Sequence, residues 1–393
     1  MRGEAVMAKN KTMKKNKKKR RVPIPVKCLI ALLILVLICG IIFTVYMKQQ
    51  TDPDRIADQY VSVYMSKDAS ALFHFLGIKE TSFLNAESFS RSLEECHKYS
   101  SITTYGLTKY SDPATPDQVQ YNIEYRYGAH SSPYTQTLTL KNTEPPLYLF
   151  FDNWKIDYSE YIARNCSVQI PAGSTVLIDD VALTEKQITS QTGQLATYEC
   201  GDLFIGTHKI TVSLEGFEDY STSVYVGNSD YKDRPLYTIT PSMLRITKDT
   251  ENKLIKQTEK MIQALYTGAL QEDPFSRLHE KYPFEENMRP DLEKKYDTLI
   301  HNHIQSSTHL SGVEFTDFSS SCTTAYAEDR CYAMKITTSA DYTSTGSVMN
   351  GGVSHEKSTT GNSLFITTVH YQGGEWFFHD STALESCVYY LKY

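Results

Sequence analysis

The first pattern along the chain is an unbroken run of apolar residues near its start. Residues 28–47 carry no charge, and eleven lysines or arginines with one acid, Glu4, precede them. Twenty helical residues rise about 30 Å, which matches the hydrocarbon core of a bilayer. Short basic flanks stay on the cytoplasmic side. The pattern therefore predicts a cytoplasmic tail at 1–27, a single transmembrane helix at 28–47, and all later residues outside the cell membrane.

A cleaved secretory signal is the competing interpretation, because it also begins with basic residues and continues with an apolar run. Its apolar core is shorter, about 7–15 residues, and it ends in small residues. Here the run ends in the bulky Tyr46 and Met47, and Ile38 stands before Cys39, where a lipoprotein signal needs a small residue. We therefore expect the run to remain as an anchor.

After the apolar run, helical spacing gives way to strand alternation. Asp52, Pro53 and Asp54 are typical of a helix start, and a second helix is expected at residues 87–99. Between residues 119 and 127, apolar and polar side chains alternate, which predicts a half-buried strand of an antiparallel sheet. Further strands are expected at residues 136–140, 147–151 and 154–158, with a tight turn at Asp152 and Asn153.

The last part of the chain repeats this order of helices and strands. Helical spacing after Asp249 and Thr250 and a second helix near 291–303 precede strands expected at 331–337, 364–371 and 375–379. The only two tryptophans, Trp154 and Trp376, each follow a turn and lie early in the closing strand of one part. We interpret residues 52–163 and 249–393 as two diverged copies of one α+β fold.

The middle of the chain, residues 166–240, has short alternating strands separated by glycines, which predicts a small β-sandwich. Six cysteines follow the apolar run: Cys96, Cys166, Cys200, Cys322, Cys331 and Cys387. Six cysteines allow fifteen pairings, so the sequence does not fix their connectivity. A disulfide between Cys166 and Cys200 is possible, since both lie in the sandwich segment.

Charge separates the two ends of the chain. The tail at 1–27 carries a net charge of +10 and the whole chain −6, which leaves −16 for the remainder. An acidic surface repels a phosphate backbone, so we expect no nucleic-acid partner.

Motifs for catalysis are incomplete. Ser354 and Lys357 have the Ser-x-x-Lys spacing of penicillin-interacting enzymes, but they lie in a Ser/Thr/Gly-rich stretch, 339–363, that is typical of a mobile hairpin loop. His301, His303 and His309 lack the spacing of metal ligands on one helix face. We therefore expect no catalytic residue, no metal and no cofactor. An enzyme would need an acid–base pair, and the nearby combinations are His74 with Asp68 and His379 with Asp380.

These motifs together resemble known families. The first α+β part, closing on Trp154-Lys155-Ile156, looks like the nuclear transport factor 2-like cone and is similar to the non-catalytic N-terminal domain of methicillin-resistance penicillin-binding proteins. The middle part resembles PEGA-type and immunoglobulin-like modules through Ile178-Asp179-Asp180 and Gly206-Thr207-His208. The order of the whole chain is similar to the teicoplanin-resistance-associated (TcaA) family of Gram-positive envelope proteins, although the tail lacks the cysteines of the zinc ribbon found in many relatives.

The resemblance implies two cone domains on either side of a small β-sandwich. It also implies a non-enzymatic, membrane-anchored envelope protein that binds a wall polymer or a membrane protein as a scaffold or sensor. An enzymatic cone, or an accessory domain acting on cell-wall precursors, is the alternative.

Overall fold

The computed structural model describes residues 24–66, 68–96, 104–110, 117–126, 132–143, 145–148, 150–305, 308–326, 332–350 and 352–385. These residues form a mixed α+β structure with one long apolar helix and four four-stranded sheets. The chain divides into two compact units. Unit 1 comprises the described residues within 1–68, 75–77 and 101–157, and unit 2 comprises those within 69–74, 78–100 and 158–393.

Helix α1 (Ile24–Gln50) contains the predicted apolar run. It is long and apolar enough to cross a membrane, and no residue of its most apolar stretch of 18 residues is buried. A signal sequence meets the same criterion of length and composition, so the choice between anchor and signal rests on the bulky residues at the end of the run. Most of the expected tail at 1–27 lies outside the described residues.

Unit 1 continues with α2 (Pro53–Ser66) and one antiparallel sheet. The sheet runs in chain order through β1 (Thr104–Lys109), β2 (Gln118–Arg126), β3 (Tyr134–Asn142) and β4 (Trp154–Ile156). Helix α2 buries Ala57, Tyr60 and Val61, while β2 and β3 bury alternate residues such as Tyr121 and Leu138. Period-two burial is what the sequence predicted for β2.

Residues 147–151 are not a strand of this sheet, and that prediction was wrong. Leu147 and Phe151 pair only with each other, in a tight hairpin between β3 and β4. Two prolines, Pro145 and Pro146, precede the hairpin, and proline has no N–H for a sheet ladder. Tyr148 adopts a left-handed backbone with φ 49°, which an extended strand does not allow.

Unit 2 begins with two helices and a β-sandwich. Helices α3 (Ala69–Phe73) and α4 (Ala86–Cys96) precede the strands β5 (Ile162–Pro171), β6 (Thr175–Ile178), β7 (Val181–Leu183), β8 (Ile188–Thr192), β9 (Leu195–Phe204), β10 (Gly206–Ser213), β11 (Tyr220–Val226) and β12 (Tyr237–Thr238). One sheet has the order β12-β5-β9-β8 and the other β11-β10-β6-β7. Val168, Ile178 and Val212 are fully buried and belong to the core of unit 2.

Helix α4 packs on the sandwich. The Phe89 ring lies 5.3 Å from the rings of both Tyr158 and Phe204, and the Ser92 hydroxyl donates to the carbonyl of Ile205 at 2.6 Å. The sequence assigned this helix to the first α+β part, whereas contacts group it with unit 2. Helical periodicity identifies an apolar face but not the surface that the face will meet.

The rest of unit 2 is a second α+β layer. Its elements are α5 (Lys248–Leu270), α6 (Phe275–Lys281), α7 (Arg289–Leu299), β13 (Thr308–Tyr326), β14 (Tyr332–Asn350), β15 (Val353–Gln372) and β16 (Glu375–Ser381). The four strands form an antiparallel sheet in chain order, and α5 packs on β13 and β14. The N-cap of α5 is Thr247, whose hydroxyl accepts from the Thr250 N–H, so the helix begins two to three residues before the start expected at Asp249 or Thr250.

Strands β14 and β15 are 19 and 20 residues long and contain the stretch at 339–363 that the sequence predicted as a loop. Their register is continuous from Tyr332–Tyr371 to Asn350–Val353. At Gly361 the strands meet closely, because a Cβ there would lie 2.7 Å from the Tyr342 hydroxyl. The stretch is therefore a hairpin, as expected, but its residues belong to two long paired strands and not to a loop.

One aromatic residue joins the sandwich to this sheet within unit 2. Phe217, in the turn between β10 and β11, lies 4.9 Å from Tyr332, 5.1 Å from Tyr371 and 6.0 Å from Trp376, measured between ring centroids. Around it, Glu218 N–H donates to Arg245 and Thr247 N–H donates to Gly216. The buried ring and these backbone bonds join the two layers of unit 2 into one packed body.

We expect Phe217→Ala to lower the free energy of unfolding of unit 2 by about 3–5 kcal/mol, because it leaves a cavity among three aromatic rings. The measurement is urea unfolding of the detergent-solubilised chain, monitored by tryptophan fluorescence, since Phe217 stacks on Trp376. Tyr225→Ala, at a ring that is 64% exposed, is the matched control and should change little. Equal effects of the two substitutions would contradict the joining role of Phe217.

Candidate functional site

A compact group of ionisable side chains in unit 2 surrounds Glu285. Glu285 lies between α6 and α7, where the chain runs beside the edge strand β16. Phe378 N–H donates to Pro283 at 2.8 Å, and Glu285 N–H donates to Phe378 at 3.0 Å. These backbone bonds fix Glu285 at the sheet edge, where its side chain is only 3% exposed.

Two histidines from neighbouring strands meet this carboxylate. His370 lies on β15, and His379 is an extra residue in a β-bulge of β16, because Thr368 pairs with Asp380 while Val369 pairs with Phe378. A bulge changes the direction of the side chain it carries. As a result, the rings of His370 and His379 stack with centroids 4.0 Å apart.

Three N–H groups converge on the carboxylate. His370 Nδ1 lies 2.7 Å from Glu285 Oε1, His379 Nδ1 lies 2.7 Å from Oε2, and Gln372 Nε2 donates to Oε1 at 2.8 Å. A buried carboxylate is costly unless hydrogen bonds replace its water, and these three donors do so.

The same three side chains could serve as metal ligands, since their ligand atoms all lie within 4.8 Å of one another. Neighbouring ligands of a tetrahedral zinc with bonds of about 2.0–2.1 Å stand about 3.3 Å apart. Here the carboxylate and imidazole atoms are 2.7 Å apart, which is hydrogen-bond spacing. We therefore interpret the group, which we call the Glu285 clasp, as a hydrogen-bonded link between the α6–α7 segment and the sheet.

A second charged group lies in the sandwich, where two sequence motifs meet. Asp179 and Asp180 both have positive φ in the turn from β6 to β7, as the two-residue hairpin of that motif requires. The Asp179 carboxylate lies 2.7 Å from His208 Nδ1 and accepts from the Lys209 N–H, while Phe204 O lies 2.8 Å from His208 Nε2. Both ring nitrogens thus lie within hydrogen-bond distance of an oxygen atom.

Burial raises the pKa of Asp179, but the hydrogen bonds from His208 and Lys209 and the nearby charges of His208 and Arg91 outweigh it, so the pKa ends below its usual value. A carboxyl whose pKa is lowered by folding stabilises the fold above its unfolded pKa, and that stability is lost as the pH falls through the folded pKa. The group is therefore a structural ion pair that weakens in acid.

Cys166 and Cys200 lie on neighbouring strands β5 and β9 and are both buried free thiols. The Cys200 thiol donates to the Cys166 carbonyl at 3.1 Å. Burial raises the pKa of Cys166 to about 12 and also raises that of Cys200, which disfavours the thiolate form of both. Their disulfide stays a prediction. Cys331 and Cys387 lie outside the described residues, as does the side chain of Cys96.

Two of the other candidate residues, Ser354 and Lys357, do not come together. Ser354 and Lys357 lie three apart on β15, so their side chains point to opposite faces of the sheet, and no nucleophile with an adjacent lysine is formed. His301 is exposed, and burial lowers the pKa of His303. His74 and Asp68 belong to different units.

The expected pair of His379 with Asp380 is divided between two partners. His379 faces Glu285, while Asp380 accepts from Lys295 at 3.0 Å. Sequence reasoning missed Glu285 and His370, which lie 85 positions apart in the chain. The available signal was His370 itself, since a histidine between Val369 and Tyr371 in a strand pattern needs a buried partner.

A groove of about 720 Å³ lies between α5, α6 and β13, and its charged lining residues are Lys260, Asp273, Arg277, Lys281 and Glu314. Beside it, Lys253, Lys256 and Lys260 occupy one exposed side of α5. None of these three lysines forms an ion pair with a residue that the structure describes. We call them the α5 lysine face, and this face concentrates positive charge on an otherwise acidic part of the chain.

No protein-family model matches the chain, and no curated protein is significantly similar to it.

We expect Glu285→Ala to lower the free energy of unfolding by about 3–5 kcal/mol, because it leaves the buried His370 and the partly buried His379 without the acceptor of their N–H groups. The matched control is Glu286→Ala, the next residue in the chain, whose side chain is 74% exposed and whose loss should change little. Thermal unfolding of both variants is the measurement. A Glu285→Ala variant as stable as the parent would contradict the structural role of the clasp.

Proposed function

We propose that this chain is a non-enzymatic protein of a bacterial cell envelope. Helix α1 anchors it, residues 1–27 stay in the cytoplasm, and both units lie on the outer side, where they bind a wall polymer or an envelope protein as a scaffold or sensor. The observation that carries the proposal is α1, a 27-residue apolar helix followed by more than three hundred residues of folded polar chain.

The order of elements supports a pair of related cones. Unit 1 has α2 followed by a four-stranded antiparallel meander whose last strand begins at Trp154. The second layer of unit 2 has α5 to α7 followed by another such meander, with Trp376 as the second residue of its last strand. We propose that both are nuclear transport factor 2-like and that the chain is TcaA-like.

The α5 lysine face favours an anionic wall polymer as the ligand. Ammonium groups bind phosphate or carboxylate groups as mobile point charges and do not require a deep pocket. Such contacts are individually weak, but a repeating polymer can engage several of them at once and gain avidity. The acidic remainder of the chain would direct the polymer toward this face.

Protease added to intact cells tests the topology. We expect it to degrade both units and to leave a protected fragment containing the basic tail and α1. In permeabilised cells the tail should be cleaved as well, which is the control. Release of a soluble mature form would indicate a cleaved signal, and protection of unit 2 in intact cells would contradict the proposed orientation.

The triple variant Lys253→Gln, Lys256→Gln and Lys260→Gln tests the ligand. Exposed charge pairs contribute roughly 0.2–1 kcal/mol each, so binding of the solubilised chain to isolated cell wall should fall about tenfold. The control replaces three exposed lysines of the sandwich, Lys186, Lys209 and Lys232, by glutamine. Equal binding by both variants would contradict the lysine face, and added salt should weaken the binding of the parent chain.

The enzymatic alternative has one specific observation in its favour, the acid and two bases of the Glu285 clasp. His379 is the most exposed of the three side chains, at 31%, and would be the group that meets a substrate. A comparison of the Glu285→Ala and Glu286→Ala variants also distinguishes this enzymatic alternative from the binding proposal. Turnover of wall fragments by the parent and the Glu286 variant, lost in a folded Glu285 variant, would replace the binding proposal.

A further inference from the structure

The hairpin at residues 147–151 of unit 1 carries exposed apolar side chains. Leu147 is 38% exposed, Tyr148 66% and Phe150 85%, and Phe151 completes the group, which we call the apolar tip. Leu149 lies outside the described residues. Residues 145–151 contain no charge. Contact of large apolar rings with water is energetically unfavourable. We therefore expect another surface to cover the exposed rings of the tip.

The base of the hairpin is polar and held by hydrogen bonds. Asn142 Nδ2 donates to Asp152 at 3.0 Å, Asn153 N–H donates to Asn142 Oδ1 at 2.9 Å, and Thr143 donates twice to the Asn153 carbonyl. Asn153 Nδ2 also donates to Pro145. This base fixes the direction in which the apolar tip projects and gives a sharp change from polar to apolar along the hairpin.

The backbone of the tip satisfies much of its own hydrogen bonding. Leu147 N–H donates to Phe151 O at 2.8 Å, while Phe150 N–H and Phe151 N–H both donate to Leu147 O. A segment can enter an apolar environment only if its backbone polar groups are paired. The tip is therefore suited to partial insertion into lipid.

The tip contacts the apolar run of α1. The Phe43 ring lies 5.7 Å from Tyr148 and 6.0 Å from Phe151, with both ring pairs near perpendicular. Phe43 precedes Lys48, the first charge after the run, by five residues, which is about 7.5 Å along a helix. This contact places the tip at the depth where acyl chains meet headgroups, and aromatic rings are enriched there.

We propose that the apolar tip is a second membrane contact, which inserts beside α1 into the interface of the leaflet that unit 1 faces. The partner is the lipid surface, because the tip is continuous with a helix side that lipid must cover. The inference rests on the proposed anchoring by α1. Its consequence is that unit 1 is held at a fixed height and rotation against the bilayer instead of pivoting on a single helix.

Fluorescence quenching in vesicles tests the contact. The full-length chain is reconstituted in phosphatidylglycerol and phosphatidylethanolamine whose acyl chains are brominated either near the headgroup end, the depth expected for position 150, or near the terminal methyl, the depth expected for position 36. Trp154 and Trp376 are replaced by phenylalanine, which suits Trp154 because its Nε1 has no hydrogen-bond partner among the described residues. Single reporters are then introduced as Phe150→Trp, Val36→Trp and Tyr134→Trp.

The three reporters give separate answers. Val36→Trp reports α1, and Phe150→Trp reports the tip. Tyr134 is 53% exposed and starts β3, about 27 Å from the end of the strand that leads to the tip, so Tyr134→Trp is the control. We expect bromolipid to remove most of the fluorescence at position 150 and little at position 134. Quenching at 36 without quenching at 150 overturns the tip contact alone, whereas no quenching at 36 overturns the anchor and the tip together.

A second measurement keeps both tryptophans. A photoreactive benzoylphenylalanine replaces Phe150, or Tyr134 as the control, in the otherwise native chain in vesicles. Irradiation should attach phospholipid at position 150 and not at position 134. A crosslink from position 150 to another copy of the chain, with no lipid attached, would show that a protein covers the tip and would overturn the proposal.

Discussion

Unit 2 depends on the contact of Phe217 with Tyr332, Tyr371 and Trp376. The sandwich alone has a thin core, and the long sheet of the second layer has a face that must be covered. One ring from a sandwich turn meets three aromatic rings of that sheet, and the adjoining backbone bonds to Arg245 and Thr247 fix its approach. Two small cores thereby become one, which buries a larger fraction of the chain than either could alone.

The Glu285 clasp follows from the same need to cover the long sheet. Its edge strand β16 would otherwise present free backbone groups, and the segment before α7 pairs with it at Phe378. The bulge at His379 interrupts the ladder and turns the His379 side chain toward Glu285. The bulge thereby supplies a hydrogen-bond partner for the buried carboxylate. The clasp is therefore part of the architecture, and its side chains resemble a set of metal ligands because hydrogen-bonding groups are crowded there.

Apolar surface and charge are distributed unequally over the molecule. Helix α1 is apolar all round, and the tip adds four apolar side chains on a polar base in the same unit. Positive charge lies in the tail and on the α5 lysine face, while the remainder is acidic. The proposed roles follow this distribution, with lipid contacts at the apolar surface and ligand contacts at the exposed cations.

The sequence by itself determined the apolar helix, the α+β character, strand β2 and the sandwich segment, because these follow from local spacing of apolar residues. Tertiary structure decided what depends on contacts between distant residues. Periodicity could not show that α4 packs on Phe204, that residues 339–363 continue two strands, or that residues 147–151 turn back on themselves. The candidate site was beyond reach for the same reason: Glu285, His370 and His379 meet only through a sheet edge and a bulge. The bulge at His379 cannot be recognised from a local sequence pattern, because a register shift arises when neighbouring strands compete for the same hydrogen bonds.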